Sequence, residues 1–313
     1  MRLVRYIEAE GKPPVFAACT EEGQVVPLPQ DGIQALIRQA RSERVTPLEW
    51  VRKWMRTAPR LEASEEQLRL AVPLVAPEVW AAGVTYARSR DARNYEATGG
   101  KLDATTFYDK VYDAPRPELF LKSTAARTVG PEEEMLLRSD SNWQIPEPEL
   151  GLVLDGDGAI VGYTAGNDLS CRDIEGENPL YLPQAKVWKR SCSLGPAIVL
   201  AESVEDPYRF ELACRIYRGG ALVSEGTAST GQLKRRFDEL VAYLIRDNDT
   251  FDGNVLLTGT CIVPPNAFTL QNGDVVEIEI GGIGTLRNTM RSPTQNATQN
   301  ATHDSERSAS EFG

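Results

Sequence analysis

The run from Ile145 to Asp168, IPEPELGLVLDGDGAIVGYTAGND, holds three carboxylates that strand geometry can bring together. Side chains on a strand alternate between faces. Glu147 and Glu149 therefore share one face with Gly151 and Val153, while Leu150, Leu152 and Leu154 share the other and are expected to enter the core. Asp155-Gly-Asp-Gly158 is a hairpin turn signal. With these four residues as the loop, 154 pairs with 159, 147 faces 166 and 145 faces 168. Directly opposed residues of an antiparallel pair point to the same side. Asp168 then lies on the face of Glu147 and Glu149; a slip of one residue would turn it away. Gly151 is expected to leave space beside the acids. Three acids held close together either have raised pKa values or are held by a cation. All-oxygen ligation favours a hard divalent ion, Mg2+ first, with Mn2+ or Ca2+ as alternatives.

The rest of the composition restricts the chemistry further. The only histidine, His303, lies in a polar tail, so the body has no imidazole base or metal ligand. Chemistry must run on carboxylates, lysines, hydroxyls or a metal. The five cysteines (Cys19, Cys171, Cys192, Cys214 and Cys261) are scattered with no CxxC spacing, and read as reduced thiols of a cytoplasmic protein. With 34 Lys+Arg against 45 Asp+Glu the net charge is −11, which argues against a nucleic-acid partner. No apolar run approaches the ~20 residues that span a bilayer, and Met1–Lys12 does not read as a secretory signal.

The elements that must position these residues divide the 313-residue chain into three parts. Residues 1–72 read as a small N-terminal α+β module, with short strands in Met1–Glu8 and Pro14–Pro27 and helical spacing over Ile33–Arg41 and Thr46–Met55. Thr46-Pro47 is a cap followed by proline in the first turn. Residues 73–290 are rich in short strands, among them Phe210–Tyr217 and Val275–Ile280, with Ser229–Arg246 the clearest helix. Residues 291–313, with Gln-Asn-Ala-Thr twice in tandem, are expected to be disordered. The fold class is α+β and β-rich.

These residues and others downstream resemble the fumarylacetoacetate hydrolase superfamily over roughly residues 80–290. The resemblance rests on Gly83-Val-Thr-Tyr86, Phe120-Leu-Lys122, Glu147-x-Glu149, Gly162-Tyr-Thr, Asn167-Asp-Leu-Ser170, Arg172-Asp173, Thr258-Gly-Thr260 and Gly273-Asp-Val-Val. It implies a rolled mixed β-sheet domain, usually dimeric or a higher homo-oligomer. It also implies a divalent metal, generally Mg2+, held by Glu147, Glu149 and Asp168. Carbon–carbon hydrolases of the family carry His and Glu at the positions of Ser89 and Ala92, where they activate water. That pair is absent here, although Asp91 or Glu96 could still serve as a base.

The sequence is similar to the subgroup of 2-keto-3-deoxy-D-arabinonate dehydratases over Tyr112-Asp-Ala-x-Arg116-Pro-Glu118, Arg138-Ser-Asp-Ser141, Glu175-x-Glu-Asn-Pro-Leu-Tyr-Leu-Pro-Gln184 and Tyr243-Leu-Ile-Arg-Asp247. That similarity implies a catalytic pair of Glu118 and Lys186. A 2-oxo acid chelated by Mg2+ loses its C3 proton to Lys186, whose pKa is expected to be lowered by burial and by the metal, and Glu118 protonates the departing 4-hydroxyl. The two roles could be exchanged. Tyr86, Ser89, Lys122, Arg172 and Thr260 are expected to contact substrate, while Asp173, Glu175 and Glu177 read as a solvated acidic run. The expected function is a Mg2+-dependent hydro-lyase of pentose catabolism that makes 2,5-dioxopentanoate from an anionic 2-keto-3-deoxypentonate. The alternatives are a C–C hydrolase of 2,4-diketo acids, a 2-oxo-acid isomerase or decarboxylase, and a non-catalytic member of the fold.

Overall fold

A computed structural model describes residues 1–98 and 107–293. The expected disordered tail, with His303, lies outside the described residues from 294 onward, as does the side chain of Glu96. Eleven strands form one mixed sheet. From one edge its path runs Val25–Pro27, Val15–Cys19, Arg2–Tyr6, Cys192–Leu200 and Ile160–Asp168. It continues through Pro148–Leu154, Asn254–Leu257, Glu78–Gly83 and Glu118–Thr124. Most neighbours are antiparallel, but Asn254–Leu257 runs parallel to Glu78–Gly83. A second, five-stranded sheet includes Glu211–Arg218 and Val275–Ile280. Both strand paths are open among the described residues.

The alternation expected for Pro148–Leu154 decides what covers each face. Leu150, Leu152 and Leu154 pack with Phe210 and with Ile216 and Ile278 of the second sheet. Val153 turns the other way, into a cluster with Val255, Leu194 and the helices Ile33–Glu43 and Pro47–Trp54. The second of these helices starts at Thr46, whose hydroxyl accepts from the Glu49 amide at 3.2 Å while the Glu49 carboxylate accepts from the Thr46 amide at 2.9 Å. The leading residues extend the main sheet directly, with Arg2 opposite Val199 and Leu3 opposite Ile198. Among the described residues no helix is long and apolar enough to cross a membrane.

Three sequence expectations are corrected. The helix expected over Ser229–Arg246 is confined to Phe237–Leu244. Ser229 closes a strand and its hydroxyl accepts from the Gly231 amide, starting a tight turn over Thr230–Gln232. Arg235 then spends its guanidinium on the carbonyls of Ala114 and Pro115 and on Glu239. Tertiary hydrogen bonds thus hold this stretch extended despite its helical spacing.

The hairpin register also differs. Leu154 pairs with Ile160, one residue beyond the expected partner, and a bulge between Val153 and Leu154 adds one more. Asp168 therefore sits opposite Glu147, its amide donating to the Glu147 carbonyl at 3.0 Å. Two single-residue shifts restore the original parity, so the acid keeps its expected face. Gly151, by contrast, does not open space at the acids. A Cβ there would meet Thr164, Val255 and Leu257 at 3.1–3.3 Å, so the glycine serves close packing between strands.

Candidate active site

Glu147, Glu149 and Asp168 are all buried, and one carboxylate oxygen from each lies within 4.8 Å of the others. The backbone fixes them: the Glu147 amide donates to Asn167 Oδ1 at 3.2 Å, and Ser170 Oγ donates to the Asp168 carbonyl at 2.7 Å. Lys186, at the end of the helix Leu182–Lys186, places its ammonium against Glu147, Asp168 (2.9 Å) and Ser170 Oγ (2.5 Å). Arg172 pairs with Glu147 at 2.8 Å. Lys122, expected in the substrate pocket, is fully buried and donates to Asp168 Oδ1 (2.7 Å) and to the carbonyls of Leu169 (2.8 Å) and Lys186 (2.5 Å). It ties the elements of the site together.

Glu149 is treated differently. It accepts from the Gly259 amide at 2.6 Å, and no cation pairs with it among the described residues. Gly259 approaches this closely because its φ is +96° and because a Cβ would lie 1.9 Å from Thr85 Oγ1. Burial, then Asp168 and Glu147, push the Glu149 carboxyl well above the usual range. Burial acts the same way on Glu147, but Lys186, Arg172 and Arg93 outweigh it and hold that group well below. An uncompensated buried carboxylate within an all-oxygen triad suits a hard divalent ion, which would neutralise what the protein's own cations leave exposed to mutual repulsion.

Glu118 opens the strand Glu118–Thr124 opposite Gly83. Its Oε2 is buried without a hydrogen-bond partner, and burial raises its pKa against the opposing fields of Arg93 and Lys186. A carboxyl whose pKa is raised in this way is better placed to donate a proton than an ordinary glutamate. Glu175, read from sequence as part of a solvated run, is instead fully buried between Arg93 (2.8 Å), Lys186 (3.2 Å) and Arg172 (3.7 Å). Neither Arg93 nor Glu175 was expected at the site. One signal for Glu175 was the i, i+3 spacing from Arg172; for Arg93 there was none. The expected lowering of the Lys186 pKa needs the charge of a metal ion as well as burial. Burial pulls it down, but Asp168, Glu147 and Glu175 outweigh burial and hold the ammonium charged.

The remaining expected contacts take local roles. Ser89 Oγ donates to the Tyr86 carbonyl at 2.8 Å and accepts from the Tyr86 amide at 3.3 Å, securing the start of the helix Ala87–Thr98. Tyr86 is buried, and burial raises its phenol pKa. Thr260 Oγ1 is buried and engages the Ile262 backbone at 3.3 Å. Asp91 faces solvent and pairs with Arg90 at 2.9 Å. All five cysteines are free thiols.

The family model described as fumarylacetoacetate (FAA) hydrolase C-terminal matches residues 88–291. A probable 2-keto-3-deoxyxylonate dehydratase of Haloferax volcanii is 51% identical over 219 residues, which is 70% of this chain and 74% of its own length. The 2-dehydro-3-deoxy-D-arabinonate dehydratase of Saccharolobus solfataricus is 41% identical over 275 residues, 86% of this chain and 90% of its own. A solved structure of 2-keto-3-deoxy-D-arabinonate dehydratase complexed with magnesium and 2,5-dioxopentanoate aligns with a TM-score of 0.80 at 37% identity, covering 94% of this chain and 99% of that one. The family match spans more than half of the chain and contains the acid triad, Lys122, Glu118 and Lys186. The chain belongs to the fumarylacetoacetate hydrolase family.

Proposed function

We propose that this chain is a Mg2+-dependent dehydratase that converts a 2-keto-3-deoxypentonate to 2,5-dioxopentanoate. The observation that carries this reading is the pairing of Glu118, whose Oε2 is buried without a partner, with a buried Lys186 against a three-carboxylate cluster, in a site without histidine. The names of the relatives point to one chemistry. A ketone at C2 and a methylene at C3 remove both centres by which arabinonate and xylonate of one configurational series differ, leaving C4 alone.

Glu147, Glu149 and Asp168 would hold a divalent ion, which would supply a Lewis acid to a 2-oxo group and so acidify the C3 protons. Lys186 is the base for the C3 proton, and it gives up its own proton only when Glu147 and Asp168 are neutralised by another cation. Glu118, held as the acid by burial, hands its proton to the departing 4-hydroxyl. Loss of the C3 proton to Lys186 and of the 4-hydroxyl as water, with the proton from Glu118, places a double bond between C3 and C4. Its move to C4–C5, with one proton leaving C5 and one returning to C3, gives the enol of the product aldehyde. Lys122 holds Asp168, and Arg172 with Glu175 holds Glu147 and Lys186, so the reacting groups keep their geometry. The two water-activating positions give a hydrolytic reading no support: Ser89 is committed to the Tyr86 backbone, and Ala92 has no titratable group. The reading also takes the protein to be a cytoplasmic homo-oligomer, as the family resemblance implies.

The test is a coupled assay on EDTA-stripped protein with racemic 2-keto-3-deoxypentonate, with and without Mg2+. 2,5-Dioxopentanoate is followed through its NAD(P)-dependent dehydrogenase. Mg2+-dependent turnover is expected. A flat trace from protein that still binds Mg2+ sinks the reaction.

A further inference from the structure

The acid triad and Lys186 are closed from solvent, at 5%, 2%, 1% and 1% exposure for Glu147, Glu149, Asp168 and Lys186. A substrate must therefore arrive through a cavity that reaches their partners. One cavity of about 520 Å3 has both Glu118 and Glu175 in its lining. Its apolar lining includes Val111, Pro117, Leu182 and Leu180, the last 83% exposed. Two cations, Lys110 and Arg116, complete the lining.

The charges around this mouth are unevenly matched. Lys110 lies on the helix Phe107–Asp113, whose acids are committed to other cations. Asp109 pairs with Arg90 at 3.7 Å and Asp113 with Lys234 at 2.6 Å, leaving Lys110 and Arg116 without a carboxylate partner among the described residues. Arg116 is held in place by the Tyr243 ring, 5.3 Å from its guanidinium carbon. Two unpaired cations over low-dielectric walls focus an attractive field for an anion, on a protein whose net charge of −11 otherwise repels one.

We infer that this cavity is the entrance to the active site and that Lys110 and Arg116 recruit the carboxylate of the incoming 2-oxo acid. The inference rests on the proposed function for its substrate class. It assigns these two residues to encounter and to KM, leaving proton transfer to the groups inside.

The experiment compares Mg2+-loaded wild type with Lys110→Gln, Arg116→Gln and the double variant. Two quantities are read against ionic strength: kcat/KM for the 2-keto-3-deoxypentonate, and the stopped-flow association rate of 2-oxopentanoate, a five-carbon 2-oxo acid with no hydroxyl to lose. For wild type both should fall steeply with salt. In the double variant both should be about tenfold lower at low salt and nearly salt-independent, with the loss carried by KM. Lys110 is exposed on a helix and makes no hydrogen bond or ion pair among the described residues, so its single variant keeps the test valid if Arg116→Gln folds poorly. Unchanged association rates and salt slopes, or a loss carried wholly by kcat, overturn the entrance. If 2-oxopentanoate binding behaves as expected while no substrate turns over, the entrance stands and the dehydration falls.

Discussion

Glu118 shows how one residue can be prepared for acid chemistry by what is left out around it. Gly83 stands opposite, and a Cβ there would lie 2.0 Å from Glu118 Oε2. The missing side chain gives Oε2 a buried, unpartnered place, and burial raises the pKa of the carboxyl. Glu118→Gln should bind Mg2+ normally and lose about 10²–10⁴ in kcat, the usual share of a general acid. Gly83→Ala should displace the carboxyl and weaken its desolvation, letting its pKa fall toward the ordinary 4.5. An acid works below its pKa, so the alkaline limb of the pH–kcat profile should then move to lower pH. A folded Gly83→Ala enzyme with an unshifted profile would separate Glu118 from the acid role. Glu118 was legible in the sequence only through its neighbours in a motif, since Arg-Pro-Glu alone also reads as the start of a strand. Glu175 was legible only as a neighbour of Arg172 one helical turn away, not as a buried member of the site. The cations that bury it come from positions 93, 172 and 186, and local spacing cannot show such convergence.

At the scale of elements, the acid triad depends on a hairpin whose parity was readable and whose register was not. Alternation along Pro148–Leu154 sorted the leucines and the glutamates correctly, because burial on two different faces enforces period two. The longer turn and the bulge next to Leu154 left no trace in residue type, and they moved the partner of Asp168 by two positions. Helical spacing misled over 229–236 for a related reason: the hydrogen-bond partners that hold that stretch extended lie elsewhere in the chain. The strand Glu118–Thr124 then locks the hairpin through Lys122, which meets Asp168 and two carbonyls. Lys122→Met, which keeps most of the volume, should leave Asp168 short of a buried partner and cost about 3–5 kcal/mol in urea unfolding. Mg2+ affinity should weaken with it. A loss below about 1 kcal/mol would mean that Lys122 fills space without holding the site.

For the whole molecule the governing quantity is charge at the buried centre. Four carboxylates (Glu147, Glu149, Asp168 and Glu175) face four cations (Arg93, Lys122, Arg172 and Lys186), all buried. A divalent ion therefore leaves the centre positive, which draws in an anionic 2-oxo acid despite the overall charge of −11. Without the ion, Glu149 is the group that suffers, because its pKa is raised above the ordinary 4.5 in the folded state. The sign follows from linkage. Above pH 4.5 the unfolded chain has lost this proton while the folded chain still holds it, so the contribution of Glu149 to stability declines as pH rises until the folded group also ionises. Mg2+ binds the ionised form and must displace that proton, so its affinity should increase with pH across the same window. The gain in Tm from a fixed Mg2+ concentration should accordingly be larger at pH 8 than at pH 5.5. Calorimetric titration in buffers of different ionisation heat should register proton release on Mg2+ binding at the lower pH. Glu149→Gln removes the titrating group, and any Mg2+ binding that remains should lose most of this pH dependence. An equal Tm gain at both pH values, with no proton released, would mean that Glu149 is already ionised in the metal-free protein and that the buried cations reach further than their ion pairs suggest.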